Sequence, residues 1–380
     1  MKQFIFKIFR FTIRLFYILS KYFVKEEFVI IAGYKARYLN GNNLYLFEYL
    51  ESIDTEFQYY FYTKDKVVYS NLKHQYSKNV LYSYSWRTLM KLVKAKVLVL
   101  ISGPDDLSPF PLFADKKIVN LWHGIPMKKI GYESLKNVNS SFDLFAKSID
   151  IYTVSSDFDK EIIENAFRLD KSKVRITGLQ SNDYFNNPQD EILKYAPFLN
   201  KHKIILYAPT FREAGMSEKE FIDLFPIEEL HEVLERYDAY FLFRSHINTK
   251  AGRVLESYPR IKSASSSEFP VAQPLLYYTD ILITDYSGIF FDFLLMDRPI
   301  IFYNYDYLNY IKHRGLIMNY EENTPGMKVQ TKKGVLEAIE KYLEMPDKDI
   351  KVRKLLKRRF HKYTDGKACE RTYEIIKELM

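Results

Sequence analysis

Short apolar runs alternate with amphipathic segments along most of the chain. In the first half the apolar runs cover 29–32, 59–62, 96–102, 118–121, 150–155 and 174–178. In the second half they cover 203–207, 239–243, 280–283 and 300–303. Segments between them have helical periodicity, as in 43–52, 86–94, 160–167 and 227–236. Strands that alternate with helices in this way predict an α/β fold built on parallel sheets.

The stretch 280–304 shows this pattern most completely. An apolar strand, a turn from Thr284 to Gly288, an amphipathic segment and a second apolar strand follow one another, which predicts a βαβ crossover. The turn follows the carboxyl end of the first strand, where open α/β sheets bind ligands. Its hydroxyls and the free N–H groups of the next helix suit an oxyanion such as phosphate. Alternatively, Asp285 and Ser287 only cap the helix.

Polar residues follow three successive strands of the second half. They are Thr210 and Arg212, then Arg244, Ser245 and His246, then Thr284, Asp285, Tyr286, Ser287 and Gly288. Because the carboxyl ends of parallel strands lie at one edge of a sheet, we expect these clusters to converge. Two arginines, a histidine and a helix N-terminus would form a pocket for a diphosphate.

A histidine also follows a strand in the first half. The run 118–121 leads into Trp122, His123 and Gly124, and the cations Lys128 and Lys129 come soon after. Imidazole suits the removal of a hydroxyl proton near neutral pH. Gly124 would allow a substrate or another part of the protein to approach the backbone closely. The alternative is a structural histidine that is hydrogen-bonded within a loop.

Composition narrows the class of protein. The chain has 380 residues, enough for two domains, and its 47% apolar and 17% aromatic content excludes a disordered protein. The one cysteine, Cys369, excludes a disulfide framework and a cysteine metal site. Asp157 and Asp159 form a D-x-D pair directly before a helical segment, where capping explains them, so we predict no metal and no cofactor.

Positive charge points to an anionic partner. The formal net charge is +8, and no recognised nucleic-acid-binding module accompanies the basic run 351–362, so nucleic acid is not expected. A solvated helix face is sufficient to explain that run. Residues 1–25 combine six Lys or Arg residues with apolar positions at helical spacing. We expect a helix on an anionic membrane surface, or alternatively one packed on its own domain.

Together, these motifs resemble one family. WHGIPMKKIG from Trp122, YAPTFR from Tyr207, the histidine after the next strand, TDYSGIFFDF from Thr284 and FHKYTDGKACER from Phe360 occur in this order. The set is similar to the CDP-glycerol glycerophosphotransferases, which are teichoic-acid primases and polymerases and related capsule enzymes. The family commonly has Ser-Ser where this chain has Ser287 and Gly288. The change removes one hydroxyl but leaves the backbone N–H.

The resemblance implies a GT-B architecture, with two Rossmann-like domains facing a cleft. The predicted parts are a membrane-surface helix at 1–25, an acceptor domain at 26–187, a donor domain at 188–355 and a last helix at 356–380 that returns to the first domain. The resemblance also implies a cytoplasmic, peripheral membrane enzyme of bacteria that needs no metal.

The resemblance further implies a reaction and its participants. A polyol phosphate, here glycerol phosphate, would pass from a CDP-polyol donor to a hydroxyl of a polyprenyl-diphosphate-linked saccharide, with release of CMP. His123 would be the general base, His246 and Arg212 would contact the donor phosphates, and the turn Thr284–Gly288 would hold the diphosphate. Two alternatives stay open, a GT-B nucleotide-sugar glycosyltransferase and a non-catalytic membrane-bound scaffold.

Overall fold

The chain folds into two compact units and passes from one to the other several times. The computed structural model describes residues 23–76, 79–108, 112–134, 140–210, 223–244 and 257–380. The first unit contains 1–123, 131–183 and 363–380, and the second contains 124–130 and 184–362. The chain therefore passes between the units four times, at 123/124, 130/131, 183/184 and 362/363.

The first unit is built on a parallel sheet. Its strands are β1 (Glu26–Ala32), β2 (Gln58–Thr63), β3 (Val80–Tyr82), β4 (Ala95–Leu100), β5 (Lys117–Asn120), β6 (Ile151–Val154) and β7 (Val174–Ile176). They are ordered β3-β2-β1-β4-β5-β6-β7, and every pairing is parallel. Helices between them are α1 (Gly41–Ser52), α2 (Lys66–Tyr76), α3 (Trp86–Lys94), α4 (Ser140–Ser148) and α5 (Asp157–Phe167).

The second unit repeats this design. Its strands are β8 (Lys203–Tyr207), β9 (Ala239–Phe243), β10 (Ile261–Ser263), β11 (Ile281–Thr284), β12 (Ile300–Tyr303) and β13 (Met327–Val329), in the parallel order β10-β9-β8-β11-β12-β13. Its helices are α6 (Ile227–Arg236), α7 (Ala272–Tyr278), α8 (Ile289–Phe293), α9 (Tyr307–His313), α10 (Tyr320–Asn323), α11 (Lys332–Glu344) and α12 (Ile350–Phe360). The last helix of the chain, α13 (Ala368–Leu379), belongs to the first unit.

Alternate strand residues form the core on one face of each sheet. In the first unit, Val97 and Val99 pack with Phe47 of α1 and with Tyr373 and Ile376 of α13. In the second unit, the same alternation brings strand residues against α6 and α11; the set includes Ile205, Tyr207, Ile281, Ile283, Leu230, Val233, Val335 and Ile339. This two-residue period follows from the pleat of a strand.

Three strands were not predicted from the sequence. They are β3, β10 and β13, and each has three residues and lies at an edge of its sheet. An edge strand has one neighbour and needs no long apolar run, so its hydrophobic pattern is weak. The predicted strands in the centre of both sheets are present.

The observed unit boundaries differ from the predicted ones. The predicted boundary at 187/188 lies at 183/184 in the structure, and the predicted boundary at 355/356 falls inside α12. Residues 124–130 were expected in the first domain, but they belong to the second unit. Residues 1–22 of the predicted surface helix lie outside the described residues. Among the residues that are described, no helix is long and apolar enough to span a bilayer.

The basic run 351–362 is only partly a solvated face. Arg353 is fully buried and donates to the carbonyl oxygens of Asp297, Lys348 and Pro346. Lys357 donates to Asp297 as well, at 2.9 Å. Two cations of the run, Arg353 and Lys357, therefore hold α12 against the rest of the second unit. The charge pattern of the sequence did not indicate this role.

His361, the next-to-last residue of this run, is buried in the second unit. Its side chain is buried, and its Nε2 lies 2.8 Å from the carbonyl oxygen of Phe291. A neutral imidazole that carries its proton on Nε2 donates a hydrogen bond to this oxygen. Burial lowers the pKa of His361 from 6.5 to about 4. The folded chain therefore favours the neutral ring.

We expect His361 to reduce stability at acidic pH. Because its pKa is lowered in the folded state, its contribution is complete above pH 6.5 and is lost as the pH falls toward 4. Between pH 7 and pH 5 the loss of unfolding free energy should be about 2 kcal/mol. Urea unfolding of the wild type and of His361→Gln, which keeps an N–H donor but does not titrate, measures the difference. Equal pH dependence of the two proteins would contradict the assignment.

Candidate functional site

Three strands of the second unit end side by side. In the order β9-β8-β11 all pairings are parallel, so Phe243, Tyr207 and Thr284 lie at the same edge of the sheet. This confirms the expected adjacency of the three strand ends. Of the predicted donor-binding residues, Arg212, Ser245 and His246 lie outside the described residues, so their side chains are not placed.

Asp285 connects two of these strand ends. Its Oδ1 accepts hydrogen bonds from the backbone N–H groups of Thr210 and Tyr286, each at 2.6 Å. The hydroxyl of Thr284 donates to the carbonyl oxygen of Ala208 at 2.7 Å. Asp285 and Thr284 are fully buried, and Thr210 is nearly so. These bonds hold the segment after β8 against the turn after β11, and they give Asp285 an orienting role.

Tyr286 lies in the core of the second unit, although it was predicted to bind the donor. Its ring is buried and stacked on Tyr310, with ring centroids 3.8 Å apart. Its hydroxyl donates to Oδ1 of Asp306 at 3.0 Å. Burial and the neighbouring carboxylate raise the pKa of Tyr286 well above its ordinary value. The observed contacts therefore give Tyr286 a packing role.

Ser287 and Gly288 form the more accessible end of the turn. Both are partly exposed, and the N–H of Ile289 lies 3.5 Å from the Oγ of Ser287. A hydrogen bond of that length is weak. The helix that follows, α8, has five residues and continues as a 3₁₀ turn over Leu294–Met296. Ser287 therefore keeps a hydroxyl that is only weakly engaged within the chain.

Gly288 contacts a segment from the first half of the sequence. A Cβ atom at Gly288 would lie 3.0 Å from the carbonyl oxygen of Ile125, which belongs to the same unit. The segment is also held by Ile317, whose N–H donates to Met127 at 3.0 Å, and by a bridge between Lys128 and Leu316. A side chain at this position would require the neighbouring backbone to shift by a few tenths of an ångström, so glycine suits the close approach.

Arg244 is bound to backbone within the second unit. Its Nη1 donates to the carbonyl oxygens of Ala264 at 3.2 Å and Phe269 at 2.7 Å. Burial lowers the pKa of Arg244 below the ordinary value of an arginine. The sequence predicted a donor-binding role for Arg244, whereas these bonds show that at least one arm of its guanidinium group supports the loop after β10.

The segment from Leu121 to Gly124, called the histidine loop here, has an unusual backbone. Trp122 has φ +53° and Gly124 has φ +126°, so His123 lies between two residues with positive φ. The centroid of its ring is 4.1 Å from that of the indole of Trp122. His123 is exposed, which a general base acting on a substrate requires. Lys129 is also exposed, and its N–H lies 3.5 Å from the carbonyl oxygen of Gly315.

Capping explains the D-x-D pair, as predicted. The Oγ of Ser156 accepts from the N–H of Asp159 at 3.1 Å, and Oδ2 of Asp159 accepts from the N–H of Ser155 at 2.9 Å. Burial raises the pKa of Asp159 from 3.8 to about 7. No group of three or more His, Cys, Asp or Glu residues in the described ranges could hold a metal ion.

One polar residue next to this loop was not predicted. Asn42 of α1 donates to the carbonyl oxygens of Leu121 and Trp122, directly before His123. Its partners are 79 and 80 residues away in the sequence, so local patterns do not reveal it. The signal in the sequence is the pair of adjacent asparagines, Asn42 and Asn43, where a helical pattern begins.

Comparison with known proteins decides the family. A model of the CDP-glycerol:poly(glycerophosphate) glycerophosphotransferases matches residues 14–378. The chain belongs to this family. It is therefore a transferase of the CDP-glycerol glycerophosphotransferase type, and the resemblance predicted from its motifs is confirmed.

Similar proteins match the chain over different shares of their own length. A teichoic acid glycerol-phosphate transferase of Staphylococcus aureus is 26% identical over 95% of each chain. A teichoic acid poly(ribitol-phosphate) polymerase of Bacillus spizizenii is 26% identical over 93% of this chain, which spans 56% of the polymerase. The solved structure of the wall teichoic acid polymerase TagF has a TM-score of 0.76 at 20% identity, covering 100% of this chain and 95% of that chain. The fold of two parallel-sheet α/β units is thus shared.

The role of Asp285 can be tested by removing its acceptor. In Asp285→Ala two buried N–H groups lose their partner, and the unfolding free energy should fall by about 2–4 kcal/mol. Asp285→Asn retains an oxygen in the place of Oδ1 and should lose less. Urea unfolding followed by circular dichroism compares the two variants. If Asp285→Ala were as stable as the wild type, the bonds to Thr210 and Tyr286 would not support this edge.

Proposed function

We propose that this glycerophosphotransferase transfers glycerol phosphate from CDP-glycerol to a hydroxyl of a lipid-linked saccharide or polymer and releases CMP. The product would be teichoic acid or a related capsular polymer. The family description supports the donor. Glycerol is favoured over ribitol because the family description names CDP-glycerol and poly(glycerophosphate).

The contact between Ile125 and Gly288 is the observation that carries this proposal. Within the second unit, the segment directly after His123 packs on the turn that is predicted to hold the diphosphate. His123 is two residues before Ile125, so the covalent chain keeps their Cα atoms within about 7 Å of each other. The candidate base therefore directly precedes, in the sequence, a segment that contacts the predicted donor turn. A GT-B cleft between the two units stays a prediction.

In the proposed reaction, His123 accepts the proton of the acceptor hydroxyl while that oxygen attacks the β-phosphorus of the donor. A new bond forms between this oxygen and phosphorus. The bond from the β-phosphorus to the bridging oxygen breaks, and CMP departs with the electron pair. Positioning and charge stabilisation supply most of the catalysis in such transfers. Ser287, backbone N–H groups of the turn, Arg212 and His246 would stabilise the charge that develops on CMP.

The direct test is the reaction itself. Purified protein with CDP-glycerol and a lipid-linked acceptor should release CMP, also in the presence of EDTA, and the acceptor should gain the mass of one or more glycerol phosphate units. His123→Ala should lower the rate by at least about 100-fold, since general base catalysis contributes that much or more. His74→Ala is a matched control, because His74 is an exposed histidine of the same unit.

Other outcomes would support the alternative functions or another catalytic base. Release of a nucleoside diphosphate from a nucleotide-sugar would identify a glycosyltransferase. Failure to bind any cytidine nucleotide would favour a non-catalytic scaffold. Normal turnover of a correctly folded His123→Ala protein would show that another group is the base.

We also propose that residues 1–25 hold the enzyme at the cytoplasmic face of the membrane, where a polyprenyl-diphosphate acceptor is accessible. The support is the sequence pattern of cations and apolar residues in this segment. The full chain should sediment with vesicles that contain phosphatidylglycerol and should not sediment with purely zwitterionic vesicles. Replacement of Lys7, Arg10 and Arg14 by Glu should abolish this binding. Binding that is unchanged by these substitutions would assign the helix to its own domain.

A further inference from the structure

Asn42 is a buried amide bound to the backbone directly before His123. It lies in the first turn of α1 and is 2% exposed. Its Nδ2 donates to the carbonyl oxygen of Leu121 at 3.1 Å and to that of Trp122 at 3.0 Å. Both N–H hydrogens of the amide are therefore used on the loop that leads to the candidate base.

The other side of the same amide is bound to the chain near a unit boundary. Oδ1 of Asn42 accepts from the N–H of Ser181 at 3.1 Å and from its Oγ at 2.9 Å. Ser181 lies two residues before Asp183, where this part of the first unit ends. With two donors and two acceptor positions engaged, the amide group is fixed in one orientation.

The backbone that Asn42 holds is strained. Trp122 has φ +53°, a conformation that is unfavourable for a bulky side chain and persists only where its surroundings impose it. The N–H of Trp122 donates to Oδ1 of Asn120 at 2.9 Å, and its carbonyl oxygen accepts from Asn42. Both backbone polar groups of Trp122 are thus fixed by buried asparagines. The peptide bond that begins His123 is fixed with them.

We propose that Asn42 is a positioning residue for His123. Its amide keeps Trp122 in the left-handed conformation and thereby sets the direction in which the imidazole leaves the loop. The ring of His123 lies against the indole, so a change in the backbone of Trp122 moves both rings together. This inference rests on the proposed function only for the role of His123 as the base.

The substitution Asn42→Asp can distinguish an effect on the position of His123 from a general loss of stability. The substitution keeps an oxygen for Ser181 but replaces the donating Nδ2 by an oxygen that repels the carbonyls of Leu121 and Trp122. Asn43→Asp is the matched control, because Asn43 is the next residue, is fully buried and donates to Ala32 at 2.6 Å instead of to the histidine loop. Both variants lose one buried donor group from the same turn of α1.

Three measurements on the full-length proteins decide the proposal. Asn42→Asp should lower kcat for CMP release by about 10- to 100-fold and leave KM for CDP-glycerol nearly unchanged. The Cε1–H signal of His123, assigned with His123→Gln, should shift in position and in its pH titration. Asn43→Asp should lower the melting temperature comparably, with wild-type kcat and an unshifted His123 signal.

The outcomes distinguish this inference from the proposed function. If the wild type releases no CMP, the proposed function fails, but the His123 signal in the two variants still shows whether Asn42 positions the ring. If Asn42→Asp does not fold, Asn42→Ala, which adds no buried charge, takes its place in all three measurements. A wild-type His123 signal in the Asn42 variant, or an equal shift in both variants, would overturn the inference.

Discussion

Parallel pairing is the constraint on which the rest of this structure depends. Every strand pairing in the described part of both sheets is parallel, so each sheet presents all its following loops at one edge. In the second unit this edge brings together the ends of β9, β8 and β11. In the first unit it brings the ends of β1 and β4 next to the end of β5, which leads to His123.

Where the strands end, buried polar side chains replace the hydrogen bonds between neighbouring strands. Beyond the last paired residue, backbone groups lose their strand partners but stay buried, and such groups must be satisfied. Asp285 does this after β11, and Asn42 does it after β5. After β4, Asp106 accepts from the N–H groups of Ile101, Ser102 and Gly103, and also from Lys35 after β1. The loops that follow these strands are therefore held by buried side chains that form hydrogen bonds with backbone N–H and carbonyl groups.

The points where the chain passes between units show a second kind of constraint. Gly131 follows one passage with φ +54°, and a Cβ atom there would lie 2.1 Å from the carbonyl oxygen of Ala166, so only glycine fits. At the passage 183/184, Asp183 accepts from the N–H groups of Ala368 and Cys369 at the start of α13. The motif around Asp365 and Gly366, which contributed to the family resemblance, thus lies where the chain returns to the first unit.

The sequence by itself determined the central strands, the helices between them, the family and the adjacency of the three strand ends in the second unit. These features depend on local periodicity and on parallel topology, which nearby residues encode. Only the tertiary structure decided that Tyr286 packs in the core, that Arg244 binds backbone carbonyls and that Asn42 holds the histidine loop. Their partners are 20 to 80 residues away in the chain, so the bonds exist only after distant segments have packed together.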